Sequence, residues 1–481
     1  MRATAHGWPA DRLLPSHPTS GCAANNNKTT KRQMTPEEET VTIRALEDYD
    51  DHVPTVAAAE PTASSRRRIL IAGTIGTAIE WYDFFIYGLI APLVFDQLFF
   101  PKFDQLTATI AVFATFAVGF LARPLGGLVF GHFGDRLGRK SVLLCTLLMM
   151  GLATMSIGLL PTYASAGVAA TVALVALRFV QGFALGGEST AAILMAIETA
   201  PGHRRGFSAA VIQAAGPVGV VLASFAALTI SRLPEADLLS WGWRVPFLIS
   251  AVLVALGVYM RLRIEESATF REAKVTEVAP VVEAVREHWR PILIVFFAEM
   301  AQTSYFYLTA IFTISFATRQ LGVQKDVITQ AVLFANLVGL VAMPLIGAWS
   351  DRIGRKRLFL AGVVLAAISM FAFYGVVASR DTMLVTCAVI LAAGVIHPLM
   401  FGSEGSYFPE LFPTRIRFTG VSIGKQLGTV LGGGIAPLVA TSLFAQTGST
   451  YAITGYYVAL ALAAMIALCF ARETGKSRLL G

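Results

Sequence analysis

Apolar stretches of about 20 residues or more recur along the whole chain, each long enough to cross the hydrocarbon core of a bilayer as one helix. Twelve are legible: 69–95, 106–130, 141–161, 168–194, 207–231, 244–263, 291–317, 328–349, 358–378, 383–408, 418–444 and 451–471. A spanning helix bonds its own backbone, so a chain built of such stretches is confined to an all-α membrane fold. Composition agrees: 55% of the 481 residues are hydrophobic and 14% charged, too little charge to cover a soluble domain of that size. The net charge of +7 would suit a nucleic-acid binder. Here the basic residues sit in short loops between apolar stretches, where they act as a topology signal, and no nucleic-acid partner is expected. Cys22, Cys145, Cys387 and Cys469 lie far apart without metal or disulfide spacing and read as buried packing residues.

Residues 1–65, rich in Asn, Thr, Pro and charge, read as a disordered cytoplasmic tail. They hold no apolar secretory core, and Met34 is an alternative start. The longest polar interruption, 264–290, divides the chain into six-helix bundles at 66–263 and 291–471, followed by a tail at 472–481. With the N-terminus inside, the inside loops carry roughly twenty-three Lys and Arg against five outside, which puts both termini in the cytoplasm; the expected location is the cell (inner) membrane.

The halves repeat each other. "GHFGDRLGRKSVL" (131–143) returns as "GAWSDRIGRKRLF" (347–359), and Glu188 near the end of the fourth stretch returns as Glu404 near the end of the tenth, both at an offset of 216 residues. A repeated six-helix unit with a site at its interface is a transporter plan. In the loop, Asp135 can accept hydrogen bonds from a helix N-terminus and pair with Arg136 or Arg139. Gly131, Gly134 and Gly138 allow a tight turn and close helix approach. Asp351, Arg352, Gly354, Arg355 and Lys356 repeat the pattern completed in the first copy by Lys140, with Ser350 in place of the second glycine. These clusters, with Glu188 and Glu404, are candidate gating residues.

Further residues carry a resemblance: "EWYDFFIYG" (80–88), "GFLARPLGGLVFGHFGDRLGRK" (119–140), "RFVQGFALGGE" (178–188), "WGWRVPFL" (241–248) and "ELFPTRIRFTGVSIGKQLG" (410–428). From about residue 66 onward the chain resembles the major facilitator superfamily, and within it the metabolite:proton symporter family. The resemblance implies twelve helices in two pseudo-symmetric six-helix bundles, alternating access, and uptake driven by the proton gradient. Glu404 and Lys425 depart from the family pattern, which has glutamine and an aromatic there. Ser189 and Thr190 stand where the family has Trp and Gly.

Carboxylates inside spanning helices are costly and normally serve a function. Glu80 and Asp83 share one helix face, and crowding and burial favour protonation of at least one. They are candidate proton-coupling groups, with Glu299 and His397 in the second half. Arg123, at nearly the depth of Glu80, and Arg178, at nearly the depth of Asp83, are the candidate anion ligands. Gln181, Gln302, Lys425 and Gln426 are further candidate substrate ligands, as are Tyr82, Tyr87 and Tyr305; Trp81, Tyr307 and Gln213 also face possible pocket positions. Glu404 and Lys425 are expected to form an ion pair. Asp83→Asn is expected to abolish gradient-driven uptake and spare exchange.

The expected function is proton-coupled uptake of a small organic acid by a protein working as a monomer in the bilayer. Alternatives are a symporter of zwitterionic solutes such as proline or betaine, an exporter of the same fold, and a membrane sensor. No cofactor, metal site or enzymatic nucleophile motif is evident in the sequence.

Overall fold

The computed structural model describes residues 63–263 and 279–475. Most of the expected N-terminal tail, with Cys22 and Met34, lies outside those residues, as do 264–278 and 476–481. Eleven described helices are long and apolar enough to cross a membrane. Gln105–Leu137 joins them, 33 residues long and without a charged side chain from 105 to 122.

The twelve are α1 (Ala63–Phe99), α2 (Gln105–Leu137), α3 (Arg139–Leu159), α4 (Val168–Thr199), α5 (Arg205–Gln213 continued by Ala215–Ile230) and α6 (Arg244–Leu262) in the first half. The second half holds α7 (Trp289–Phe306, continued to Arg319), α8 (Lys325–Ile353), α9 (Arg355–Ala378), α10 (Thr382–Val389, continued to Glu410), α11 (Arg417–Thr429, continued to Thr447) and α12 (Thr450–Cys469). Part of the expected central loop is helical: Pro280–Glu287 forms a short helix, with Pro280 in its first turn, where a missing N–H costs nothing. Large apolar side chains such as Leu121, Phe225, Val252, Ile368 and Ile466 cover the outer surface, as lipid contact requires. Cys145, Cys387 and Cys469 are on that outer face, exposed rather than buried. Apolar surroundings in the sequence do not tell a lipid-facing position from a core one.

Lipid is as apolar as a leucine side chain, so packing rather than water exclusion joins these helices, and small residues set how close they come. In the first half α2 and α4 meet through glycine. A Cβ on Gly182 would stand 1.9 Å from the Gly119 carbonyl oxygen, and one on Gly186 would stand 2.2 Å from that of Arg123. In the second half α11 meets α7 through Gly424, Gly428 and Gly432, and π turns interrupt the helices: Tyr307–Phe312 in α7, Ile390–Ile396 in α10 and Val430–Gly434 in α11. A π turn inserts a residue and leaves the helical register offset, and such turns concentrate at functional sites. The last is where "LGGGIAP" interrupts the eleventh stretch.

Candidate functional site

Between the halves lies a cavity walled by α1, α2, α4 and α5 on one side and by α7, α8, α10 and α11 on the other. Its charged and polar lining includes Glu80, Arg123, Ser189 and Gln213 from the first half and Glu299, Gln302, Asn336, His397, Lys425, Gln426 and Thr429 from the second. Trp81, Phe84, Phe85, Phe306, Tyr307 and Phe401 supply its aromatic surface.

Arg123 is placed by the glycine-tight α2–α4 contact. Its guanidinium lies 4.4 Å from the Phe84 ring centre and 4.3 Å from that of Phe120, a cation–π sandwich that fixes its plane. It forms no ion pair among the described residues, and its Nε has no partner. A desolvated cation in that state is set up to receive an anion.

Two cavity carboxylates are held by hydroxyls. Ser189 donates to Glu80 Oε1 at 2.6 Å. Thr303 and Thr429 donate to Glu299 Oε1 at 3.0 and 2.7 Å. Among the described residues neither forms an ion pair, and the second oxygen of each has no partner. A hydroxyl both donates and accepts, so it serves a carboxyl group in either protonation state. Lys425 Nζ, by contrast, lies 2.8 Å from Glu404 Oε1, and Gln213 reaches the same oxygen from α5 at 3.2 Å. Gln302 Nε2 meets His397 Nε2 at 2.6 Å, and the imidazole stacks on Phe401. Gln426 crosses to the first half and donates to the Gly186 carbonyl at 3.0 Å.

Several residues expected at the site are elsewhere. Asp83 is fully buried and accepts from Ser250 of α6 at 2.6 Å. One helical turn separates it from Glu80, yet the 60° rotation between i and i+3 aims it at a different helix. Arg178 lies over the Tyr87 ring, 3.9 Å from its centre, and donates to Gln181 at 2.9 Å. Tyr87 meets Thr115, Tyr82 donates to the Pro246 carbonyl, and Tyr305 bonds Ser369. These six side chains form the packing behind the cavity wall and do not line it. Glu188 pairs with Arg261 of α6 at 2.5 Å, within the first half.

At the end of the bundle that carries the basic loops, two mirrored clusters join the halves. Asp135 accepts the Phe418 and Thr419 N–H groups, at 3.2 and 2.8 Å, in the first turn of α11. Arg139 pairs with Asp135 and Glu198, each at 3.3 Å, and Arg417 pairs with Glu198 at 3.1 Å. In the second copy Asp351 accepts the Gly206 and Phe207 N–H groups, at 2.8 and 3.0 Å, in the first turn of α5. Arg355 pairs with Asp351 at 2.9 Å and with Glu410, and Arg205 approaches Glu410 at 4.0 Å. A carboxylate at a helix N-terminus satisfies orphan N–H groups and meets the positive end of the helix dipole. Gly131 lets α11 approach: a Cβ there would stand 2.9 Å from the Thr419 Cα. Gly138 and Gly354 turn the chain at φ 100° and 115°, a region only glycine enters freely.

Arg136 and Arg352 are exposed and take part in neither cluster. Lys140 and Lys356 instead tie the loops to the ends of their own halves, at the Leu262 and Ala471 carbonyls. Just past α12, Glu473 accepts the Arg355 N–H at 2.7 Å and the Lys356 and Arg357 N–H groups at 3.3 Å. Burial works to raise its pKa, but these N–H groups and that of Gly475 outweigh burial and hold the Glu473 carboxyl below the usual range.

Residues 69–279 match the sugar (and other) transporter family and 300–480 match the major facilitator superfamily. The chain is 35% identical over 413 residues to the shikimate transporter of Escherichia coli (strain K12), covering 84% of this chain and 94% of that one. It is 38% identical to the inner membrane metabolite transport protein YhjE of the same organism, over 85% of this chain and 95% of that one. With that organism's proline/betaine transporter the identity is 31%, over 86% and 85%. Among solved structures, the proton:xylose symporter XylE bound to 6-bromo-6-deoxy-D-glucose shares the fold at a TM-score of 0.69 and 20% identity, covering 86% of this chain and 98% of that chain. The chain thus belongs to the major facilitator superfamily, as a multi-pass membrane transporter of small molecules rather than an enzyme.

Proposed function

We propose that the protein takes up a small organic acid together with protons across the inner membrane, by alternating access, with the basic end and both termini in the cytoplasm. The observation that carries the substrate class is Arg123: a planar cation, held between two phenyl rings, without an ion pair among the described residues, and facing the cavity. Glu80 and Glu299 carry the protons, one from each half, because hydroxyl partners serve both their charged and neutral forms. A neutral Glu80 removes a competing negative charge from the region Arg123 occupies, so proton and anion favour each other's binding.

The Asp135 and Asp351 clusters supply the gate. Each is a charged contact between halves that separates when the halves rock, so its strength sets the balance between the two states.

Reconstituted protein in liposomes with an inward proton gradient, offered mixtures of organic acids, betaines and amino acids, tests the reading. Protonophore-sensitive accumulation of a carboxylic acid is the expected result. Concentrative uptake of a betaine or amino acid and of no organic acid would replace it with the zwitterion reading.

A further inference from the structure

One buried ion pair has a role that the two hydroxyl-held carboxylates do not share. Glu404 is fully buried, and among the described residues its only cation partner is Lys425, whose ammonium also lines the cavity. The lysine is therefore open to a ligand, and the glutamate is not. Glu404 Oε2 and the Gln213 amide oxygen are both buried and both lack a donor among the described residues, although the two side chains already meet at 3.2 Å across the halves. One proton on Glu404 would give that amide oxygen the donor it lacks.

We propose that Glu404 is a conditional proton site: an anionic group of the solute takes Lys425 away from it, and Glu404 then takes up a proton from the aqueous side and donates it to Gln213. The proposal rests on the organic-acid reading and adds a coupling element to it. While Lys425 stays, its ammonium at 2.8 Å compensates a negative charge on Glu404. Once Lys425 turns to the solute, the charged groups still facing Glu404 reduce to Glu299 of α7, a like charge; Gln213 of α5 is neutral. A buried carboxylate left without its cation is strongly destabilised, and in an apolar site it neutralises instead. Solute binding in the second half thereby draws in a proton, and the resulting carboxyl–amide bond holds α10 against α5.

Infrared difference spectra of the reconstituted full-length protein test this without knowledge of the natural solute. Lys425→Met is expected to show a carboxylic-acid C=O band absent from the unsubstituted protein at the same pH, and Glu404→Gln/Lys425→Met is expected to lose it. With succinate as the probe, the unsubstituted protein should gain the same band. Glu404→Gln should not gain it, and should bind succinate about tenfold more tightly because the competitor for Lys425 is gone. Lys425→Gln replaces Lys425→Met if the latter does not fold; if neither folds, the succinate response of the unsubstituted protein against Glu404→Gln decides. Absence of the band in the lysine variant, or its survival in the double variant, which would put the proton on Glu299, overturns the proposal. No response to succinate in any of these proteins would count against the organic-acid reading, while the lysine-variant spectra still decide the role of Glu404.

Discussion

In the first half the cavity wall is set by glycines that let α2 and α4 touch through their backbones, at Gly119, Gly182 and Gly186. In the second half the equivalent contacts are looser: a Cβ on Gly402 would stand 3.1 Å from the Met343 carbonyl oxygen, and π turns interrupt the cavity helices α7, α10 and α11. The charges follow the same division. Arg123 is clamped by rings and forms no ion pair among the described residues, whereas Lys425 is held by Glu404. We infer that the first half presents a fixed anion ligand and the second an adjustable one. At the gate the halves match residue for residue, Asp135, Arg139 and Glu198 against Asp351, Arg355 and Glu410. The repeat was kept where the halves must close on each other symmetrically and altered where the solute sits.

Four experiments break or sharpen that comparison. The largest effect is expected from Arg123→Met. Removing one partner of a desolvated charge pair costs about 2–5 kcal/mol, so the apparent affinity for the organic acid should fall by about thirtyfold or more. Arg123→Lys should restore little of it, since an ammonium does not fill the planar slot between Phe84 and Phe120. Equal losses from Arg123→Met and Lys425→Met would erase the distinction between fixed and adjustable ligands.

Packing comes next. Gly182→Ala drives a methyl group against the Gly119 backbone and should lower stability in detergent by about 1–3 kcal/mol. Gly402→Ala, with its looser neighbour, should cost clearly less. Thermal unfolding of the two variants compares the halves directly.

The gate should respond symmetrically. Asp135→Asn and Asp351→Asn each remove a charge from a helix N-terminus, worth up to about 2 kcal/mol in a buried setting. Each should raise accessibility of cysteines introduced at the basic end by a similar factor, and the double variant by their product. A much larger effect from one copy would break the symmetry.

The smallest effect is expected from Glu473→Gln, which weakens a cap present in the described residues of the second loop. Because the folded protein holds this carboxyl below its usual range, its contribution is complete above the ordinary carboxylate range and is lost as pH falls through the lowered value. Glu473→Gln should therefore loosen the second loop at neutral pH, and strongly acidic pH should remove the difference, as read by the same cysteine accessibility.

Much of this was legible in the sequence. The twelve crossings follow from run length alone, and the DRxGRK copies located both gate loops. The Glu404–Lys425 pair was suggested by an acid and a base appearing on consecutive helices. Half of each gate was missed. Glu198 and Arg205 return as Glu410 and Arg417 at an offset of 212 residues rather than 216, so a search at one fixed offset passes over them. Asp83 was read as a site residue from the helix face it shares with Glu80, and Arg178 from its depth; neither argument fixes rotation closely enough, and the two side chains meet Ser250 of α6 and the Tyr87 ring. The π turns left no sequence signal beyond the glycines of "LGGGIAP", because an inserted residue changes register without changing composition. For the same reason Thr429 and Asn336, ordinary polar residues in apolar stretches, gave no sign that they line the cavity.

The most direct test of the account is proton movement driven by the solute itself. Liposomes containing the protein and a trapped pH dye, with no imposed gradient, would receive the organic acid selected by the uptake screen, added outside as its salt. The account predicts that the lumen acidifies as the acid anion enters, and that Arg123→Met abolishes the signal. Entry of labelled acid without lumen acidification would contradict it.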